Sequence, residues 1–338
     1  MKLISVIIPV YKVEKFIGRC LDCLLAQTYP HWEAICVNDG SPDSSRDIIL
    51  RYAERDARIK LVEKSNGGLP SARNAGMEAV SGEYVIFLDS DDFLHPQTIE
   101  FAVCLAERDG SDMVTWYKHP NYRNITFIRH KLGLDTIDYR PYGYRKKFDL
   151  GKVRSRCTDK LYEHLTEYSH PKGIDWPMKH FYVWRMMTRT SLIGDHRFYD
   201  DIRCFEDFPW WPEILLKKPV VTMTKLPFHF YYPNFGSIDL SSSRLKKIRY
   251  WCLGLEKAWE VMAGSGEDEI VRAWSHNCRW PVINIQIAKR LDSFDPSAAE
   301  CEFLVGILRK LKADGAFCNP ETEADRKSLA KINSFIGE

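Results

Sequence analysis

Tyr84-Val85-Ile86-Phe87-Leu88-Asp89-Ser90-Asp91-Asp92 joins five consecutive apolar residues to three carboxylates within four positions. Bounded by Ser81-Gly82 on one side and Pro96 on the other, the apolar run predicts a central strand covered on both faces. Open α/β sheets bind ligands at the carboxyl ends of such strands. Carboxylates this close repel one another and favour protonation unless a cation or a set of donors offsets the charge. Mg²⁺ or Mn²⁺ does so with oxygen ligands that it commonly shares with substrate phosphates. The same residues also read as an acidic turn in which Asp91 or Asp92 caps a helix starting near Pro96.

Upstream, Leu3 to Pro9 is a β-branched run stopped by proline, a first strand whose exit loop is Pro9, Val10 and Tyr11. Phe16, Ile17, Cys20, Leu21, Leu24 and Leu25 then recur at helical spacing, predicting a helix from Glu14 to Gln27. Glu33 to Asn38 returns as a strand and enters the turn Asn38-Asp39-Gly40-Ser41-Pro42-Asp43. A helix to Arg55, a strand from Ile59 to Glu63 and the flexible Asn66-Gly67-Gly68 follow, leading into a helix from Pro70 to Val80. Arg73 and Asn74 fall in its expected first turn. A helix N-terminus presents unpaired N–H groups and a positive dipole, so an arginine there suits a diphosphate, although it also reads as a solvated surface charge. Continued to Met113-Val114-Thr115-Trp116-Tyr117, the alternation predicts a doubly wound, mostly parallel α/β sheet.

In this order, Ser5 to Tyr11, Gln27-Thr28-Tyr29, Asn38-Asp39-Gly40-Ser41, Asn66-Gly67-Gly68, Ala72-Arg73-Asn74-Ala75-Gly76 and Phe87 to Asp92 resemble the family 2 glycosyltransferases of the GT-A fold. The resemblance implies a Rossmann-like, mostly parallel sheet flanked by helices, and a nucleotide-diphosphosugar donor, with UDP the expected carrier. By it, Pro9, Val10 and Tyr11 line the base and ribose pocket, Asp39 accepts from the base, and Asn66 and Arg73 lie near the base or diphosphate. Asp89, Ser90 and Asp91 stand as the family's Asp-x-Asp motif, with Asp91 the first choice of metal ligand, Asp89 beside it and Asp92 just behind. The chain departs from the family pattern in places: Lys12 stands where the family often has asparagine, Asn38 replaces the first aspartate of a frequent pair, and Tyr231-Tyr232 stands where members often carry a basic residue after the tyrosine.

Further on, Trp184 to Ile193, Phe198 and Phe205-Glu206-Asp207 resemble the family's acceptor-side segment. The resemblance makes Asp207 the general base and Glu206 an orienting group for the acceptor. A sugar hydroxyl needs such a base at neutral pH, and single displacement opposite the diphosphate inverts the anomeric configuration. Taken alone, Glu206-Asp207 also reads as an acidic start to a helix running toward Leu216. Pro227 to Tyr232 resembles the strand closing the catalytic domain, and its His229 is either a further metal ligand or a packed core residue.

The stretch between, 118–160, is rich in tyrosine and in basic residues: Arg140, Arg145, Lys146, Lys147, Lys152, Arg154 and Arg156. It suits an anionic acceptor or an anionic membrane surface, or it is a solvated insertion. From Arg244, the apolar residues Leu245, Ile248, Cys252, Leu255, Trp259 and Met262 repeat three and four apart behind a cluster of four cations, for packing on the catalytic domain or for lying on a membrane. Further helices are expected at Glu267 to Arg290, with a kink at Pro281, at Ala298 to Ala313 and at Ala324 to Phe335. The expected domains are a catalytic unit, 1–240, with a donor half 1–117 and an acceptor half 118–240, and a helical extension, 241–338. That extension has two open uses, acceptor choice and homo-oligomerisation.

A net charge of +2 over 338 residues gives no reason to expect a nucleic-acid partner. No apolar run approaches the ~18 residues of a membrane span. Ten irregularly spaced cysteines without a cleavable leader predict reduced thiols and a cytoplasmic setting, including peripheral attachment at the inner face of the membrane; the lone Cys20/Cys23 pair is expected within a helix. These readings converge on a metal-dependent, inverting transferase moving a sugar to a hydroxyl of a glycan or lipid-linked glycan in surface-polysaccharide biosynthesis. Two alternatives stay open: a synthase whose acceptor is polyprenyl phosphate, and a non-catalytic nucleotide-sugar-binding regulator.

Overall fold

The computed structural model describes residues 1–118, 122–132, 134, 144, 146–152, 155–158, 183–232, 234 and 243–338. Arg140, Arg145 and Arg154 of the basic stretch lie outside the described residues, as does the side chain of Arg156. By internal contacts the chain divides into two compact units. One combines Met1–Asp159, Tyr182–Asp200 and Pro219–Phe235; the other combines Lys160–Phe181, Asp201–Lys218 and Gly236–Glu338. The segment carrying Glu206-Asp207 thus groups with the C-terminal helices, whereas the sequence places a boundary near residue 240.

The first unit opens with β1 (Ile4–Val10), α1 (Ile17–Leu25), β2 (Trp32–Asp39), α2 (Ser45–Ala53), β3 (Ile59–Lys64), α3 (Leu69–Glu78) and β4 (Tyr84–Phe87). Every residue of β1, β2 and β4 is buried, as expected of strands covered by helices on both faces. Close approach of α3 to β1 requires Gly76, because a Cβ there would stand 2.4 Å from Ile7 Cγ2. Gln27 and Thr28 tie the end of α1 to the chain beyond β4, with Gln27 Nε2 donating to His95 O (2.9 Å) and Thr28 N to Pro96 O (2.9 Å). Cys20 and Cys23 are buried thiols on the inner face of α1.

The remaining strands are β5 (Phe93–Leu94), β6 (Met113–Lys118), β7 (Ser155–Thr158), β8 (Met186–Arg189) and β9 (Val221–Phe230); α4 (Thr98–Asp109) and α5 (Tyr122–Lys131) lie in this unit too. The sheet order is β3-β2-β1-β4-β8-β6-β9-β5, with β7 also on β9. The sheet is mixed and, by the length of its pairings, parallel in its larger part, as expected. The parallel pairings are β1·β2, β1·β4, β2·β3 and β6·β9, while β4·β8, β6·β8, β5·β9 and β7·β9 are antiparallel. The reversal comes from β8, four residues far along the chain that enter between β4 and β6. So short a strand carries no periodic signal that would announce its direction.

In the second unit, α6 (Asp207–Leu216) packs on α7 (Arg244–Ala263), whose Ile248, Trp251, Cys252, Leu255, Ala258 and Met262 are buried. This uses most of the apolar stripe inside the unit. Gly254 admits the α6 chain, a Cβ there lying 3.4 Å from Phe208. α8 (Asp268–Trp274) continues through wide π turns at Ser275–Arg279 and Val282–Ala288, on either side of Pro281. A proline ring clashes with the carbonyl four residues back, and widening the helix around it accommodates the ring. α9 (Glu302–Ala313) and α10 (Glu323–Ile336) complete the unit, α10 starting in a capping box formed by Thr322 and Asp325.

Candidate active site

The parallel register places three chain exits at one edge of the sheet. Val10 is level with Asn38, and Ile7 with Phe87, so Tyr11, Asp39 and Asp89 follow from adjacent strand ends. Pro9 and Val10 are buried and Tyr11 is 43% exposed. Lys12 adopts φ 55°, a left-handed conformation in which asparagine is far more at ease. This explains physically why asparagine suits this place. Its backbone N–H donates to Ser41 Oγ (2.8 Å), a bond that does not depend on the side chain. Lys12→Asn should therefore stabilise the protein by up to about 1 kcal/mol. A urea midpoint that falls or stays put would sink this explanation.

The departure at Asn38 is likewise local. Asn38 Oδ1 accepts from Ser41 N (3.0 Å), a turn that an amide closes as well as a carboxylate. Asp39 is 3% exposed and its carboxylate is taken up by the loop beyond β3: Oδ1 accepts from Lys64 Nζ (2.7 Å) and Gly67 N (2.9 Å), Oδ2 from Gly68 N (2.8 Å). Asn66 Nδ2 donates to Asp39 O (3.0 Å). Asp39 and Asn66 therefore clamp two loops of the expected base pocket together.

Arg73 lies in the second turn of α3, 1% exposed, with Nη2 donating to Asp89 Oδ1 (3.0 Å) and its guanidinium 5.3 Å from the Phe198 ring. Asn74 exchanges hydrogen bonds with the backbone of Phe198, its Nδ2 donating to Phe198 O (2.9 Å) and its Oδ1 accepting from Phe198 N (2.8 Å). Arg73 thus delivers a positive charge to the first carboxylate of the Asp-x-Asp motif, while Asn74 holds the chain beneath it.

Asp92 stands apart from the other two carboxylates. It is 0% exposed, with Oδ2 2.6 Å from His229 Nε2 and Oδ1 accepting from Tyr232 N (2.7 Å). Burial pushes the Asp92 carboxyl up and the His229 imidazole down, disfavouring the charged form of each. The expectation that Asp92 and His229 join a metal is revised accordingly: both Asp92 oxygens and His229 Nε2 are used in fastening β9 to the acidic turn. Asp92→Ala would orphan a buried N–H and an imidazole nitrogen, at about 1–3 kcal/mol each. We expect a loss of about 3 kcal/mol on this basis, read as a lowered denaturation midpoint; an unchanged midpoint would exclude the bracing role.

Asp91 is part-exposed, and its side chain accepts from that of Asn234. Its carboxyl is pushed up to about 8, first by burial and then by the charges of Asp92 and Asp89. Positive charge at this point would reverse that shift, so the Asp91 and Asp89 oxygens fit a hard divalent cation. Among the described residues no three His, Cys, Asp or Glu side chains are gathered into a closed cage. The fit is to an open site in which phosphate oxygens of a ligand complete the shell.

Arg19 is a buried charge at the candidate site that the sequence reading missed. It is 4% exposed, its Nη2 donates to Asp91 O, and its guanidinium lies over Phe93 (4.9 Å) and Tyr232 (4.7 Å). The signal was present: a lone charge on the apolar face of α1, between Phe16 and Cys23.

In the second unit, Asp207 is the first residue of α6 and Glu206 its N-cap, 6% exposed. Phe205 before them takes φ 63°, and its ring stacks on Trp251 at 4.3 Å. A left-handed phenylalanine costs roughly 1–3 kcal/mol, and such strain concentrates at functional sites. The aromatic stack offsets about 0.5–1.5 kcal/mol of this and fixes how the two acids leave the helix start.

Parallel strands ending in a carboxylate pair backed by an arginine, continued by a mixed sheet, define a GT-A-type α/β fold. Residues 5–161 match the Glycosyl transferase family 2 model. The chain is 33% identical over 240 residues to the uncharacterized glycosyltransferase EpsJ of Bacillus subtilis, a match covering 70% of this chain and 62% of that protein. The fold is similar to that of S. aureus TarS 1-349 in complex with UDP-GlcNAc (TM-score 0.59, 18% identity, 99% of this chain and 89% of that one). It is also similar to the mannosyltransferase PcManGT from Pyrobaculum calidifontis in complex with GDP-Man and Mn2+ (TM-score 0.54, 16% identity, 99% and 85%).

Proposed function

We propose that this protein transfers a sugar from a nucleotide diphosphate, UDP in the first instance, to a hydroxyl of a glycan or lipid-linked glycan, with inversion at the anomeric carbon. One observation carries the reading: Asp89 and Asp91 stand at the end of β4, level with the exits of β1 and β2, with Arg73 on Asp89 and Arg19 on the Asp91 backbone. Tyr11 and the loops clamped by Asp39 hold the nucleoside, and Arg73 orients the diphosphate. Asp91 and Asp89 would hold Mn²⁺ or Mg²⁺, which supplies charge stabilisation for the departing diphosphate. Asp207 takes the acceptor proton as its oxygen attacks, and Glu206 orients the acceptor. A surface-polysaccharide pathway is the setting that the family resemblance suggests. Among the described residues no helix is long and apolar enough to cross a membrane.

The test is calorimetric titration of UDP, GDP and their sugar conjugates, with Mn²⁺ and then with excess chelator. Tight binding of one nucleotide that collapses on chelation is the expected result and identifies the donor class. Metal-independent binding, or none, would overturn the donor site. Product formation on polyprenyl phosphate alone would replace the hydroxyl acceptor with a phosphate.

A further inference from the structure

Asp89 to Asp92 form a β-turn: Asp92 N donates to Asp89 O (3.0 Å), with Ser90 and Asp91 at the two central positions. The peptide unit joining Asp91 to Asp92 is planar and trans, so with its N–H turned into the turn its carbonyl points out and needs a partner from elsewhere. Arg19 on α1 is that partner, its Nη2 donating to Asp91 O. One peptide unit is therefore held at both ends, by the turn on one side and by a guanidinium on the other. Two further residues on the buried side of α1 reach the same stretch of backbone. Cys20 Sγ donates to Asp89 O across 4.0 Å, and Leu94 N donates to Cys23 Sγ (3.3 Å). The Cys20/Cys23 pair thus lies under the acidic turn, on either side of the place where Arg19 grips it.

The guanidinium has little freedom of its own. Arg19 is 4% exposed and rests over the rings of Phe93 (4.9 Å) and Tyr232 (4.7 Å). Tyr232 also gives its backbone N–H to Asp92 Oδ1 (2.7 Å), so the residue that steadies Arg19 fastens the far end of the same turn. A fixed guanidinium makes a charge-assisted, directional bond. On the reading of Asp89 and Asp91 as cation ligands, on which this role rests, we propose that Arg19 is a positioning residue for the cation site: by anchoring the Asp91 carbonyl it aims the Asp91 carboxylate where it shares a divalent cation with Asp89. Charge alone would act with the opposite sign. A guanidinium near the site repels a divalent cation, so losing it as a charge would raise cation affinity, whereas losing it as a hydrogen-bond donor lowers that affinity.

The experiment is Mn²⁺ binding by the full chain in the presence of UDP and, separately, of GDP, followed by the loss of the free Mn²⁺ paramagnetic resonance signal well below each variant's unfolding midpoint. Arg19→Met should weaken Mn²⁺ affinity about tenfold or more, the worth of a hydrogen bond from a charged donor. Arg19→Lys keeps the charge between the rings but ends one bond short of the carbonyl, and should weaken it about threefold; this variant decides the matter if Arg19→Met does not fold. Because Arg19 acts through Asp91, Arg19→Met should cost less than about twofold more in an Asp91→Asn background. Unchanged or tighter Mn²⁺ binding in both Arg19 variants, or losses that simply add in the double variant, would overturn the positioning role and leave the cation site standing. A parent chain that binds no Mn²⁺ with either nucleotide would overturn the cation site and this role together.

Discussion

Replacing Asp207 by asparagine should cut sugar transfer by about 10²–10⁴-fold, the range that a general base contributes, while leaving nucleotide binding untouched. The amide keeps the shape of the side chain and loses the capacity to take the hydroxyl proton. Misfolding would not account for such a loss. Asp207 begins α6, where a carboxylate gains only about 0.3–1 kcal/mol from the helix dipole, and asparagine is itself well tolerated at helix starts. The informative comparison is kcat for transfer against the Kd for UDP, both in the same preparation. Retained kcat would remove Asp207 from the reaction and leave it as a helix-start acid. Glu206→Gln should act more on the acceptor KM than on kcat, in keeping with an orienting role.

Asp91→Asn should abolish the metal-dependent part of nucleotide binding, with at least a tenfold loss, since one of two carboxylate ligands is replaced by a neutral amide. The raised pKa of Asp91 adds a pH signature. With the carboxyl pushed up to about 8, the metal-free protein carries a proton there at neutral pH, and a cation must displace it. Metal affinity should therefore rise with pH and level off above about 8, with proton release seen in buffers of different ionisation enthalpy. The sign for folding is the opposite. A folded-state pKa above the unfolded value of ~3.9 gives a contribution that is complete below that value and is lost as pH rises through about 8. Added Mn²⁺ should restore stability at the alkaline end. A pH-independent metal affinity, or an Asp91→Asn variant that still needs metal, would remove Asp91 from the cation site.

The sequence alone determined the parallel half of the sheet and the place of its carboxylates. β1 to β4 are announced by apolar runs, helical spacing and glycine-rich turns, all signals spanning a dozen residues or fewer. Asp89 to Asp92 sit at a strand end for the same local reason. Only the tertiary structure decided the direction of β8, whose partners are about a hundred residues back on one side and over seventy on the other. Likewise it alone showed that Asp92 is fastened to His229 and Tyr232, that Asp39 clamps the loop at Gly67-Gly68, that Arg19 holds the Asp91 backbone, and that the α7 stripe is spent on the core of its own unit. The physical reason is range: propensity and turn chemistry act between neighbours in the chain, whereas the partner that satisfies a buried charge is chosen by packing, and packing brings together residues that no local pattern relates.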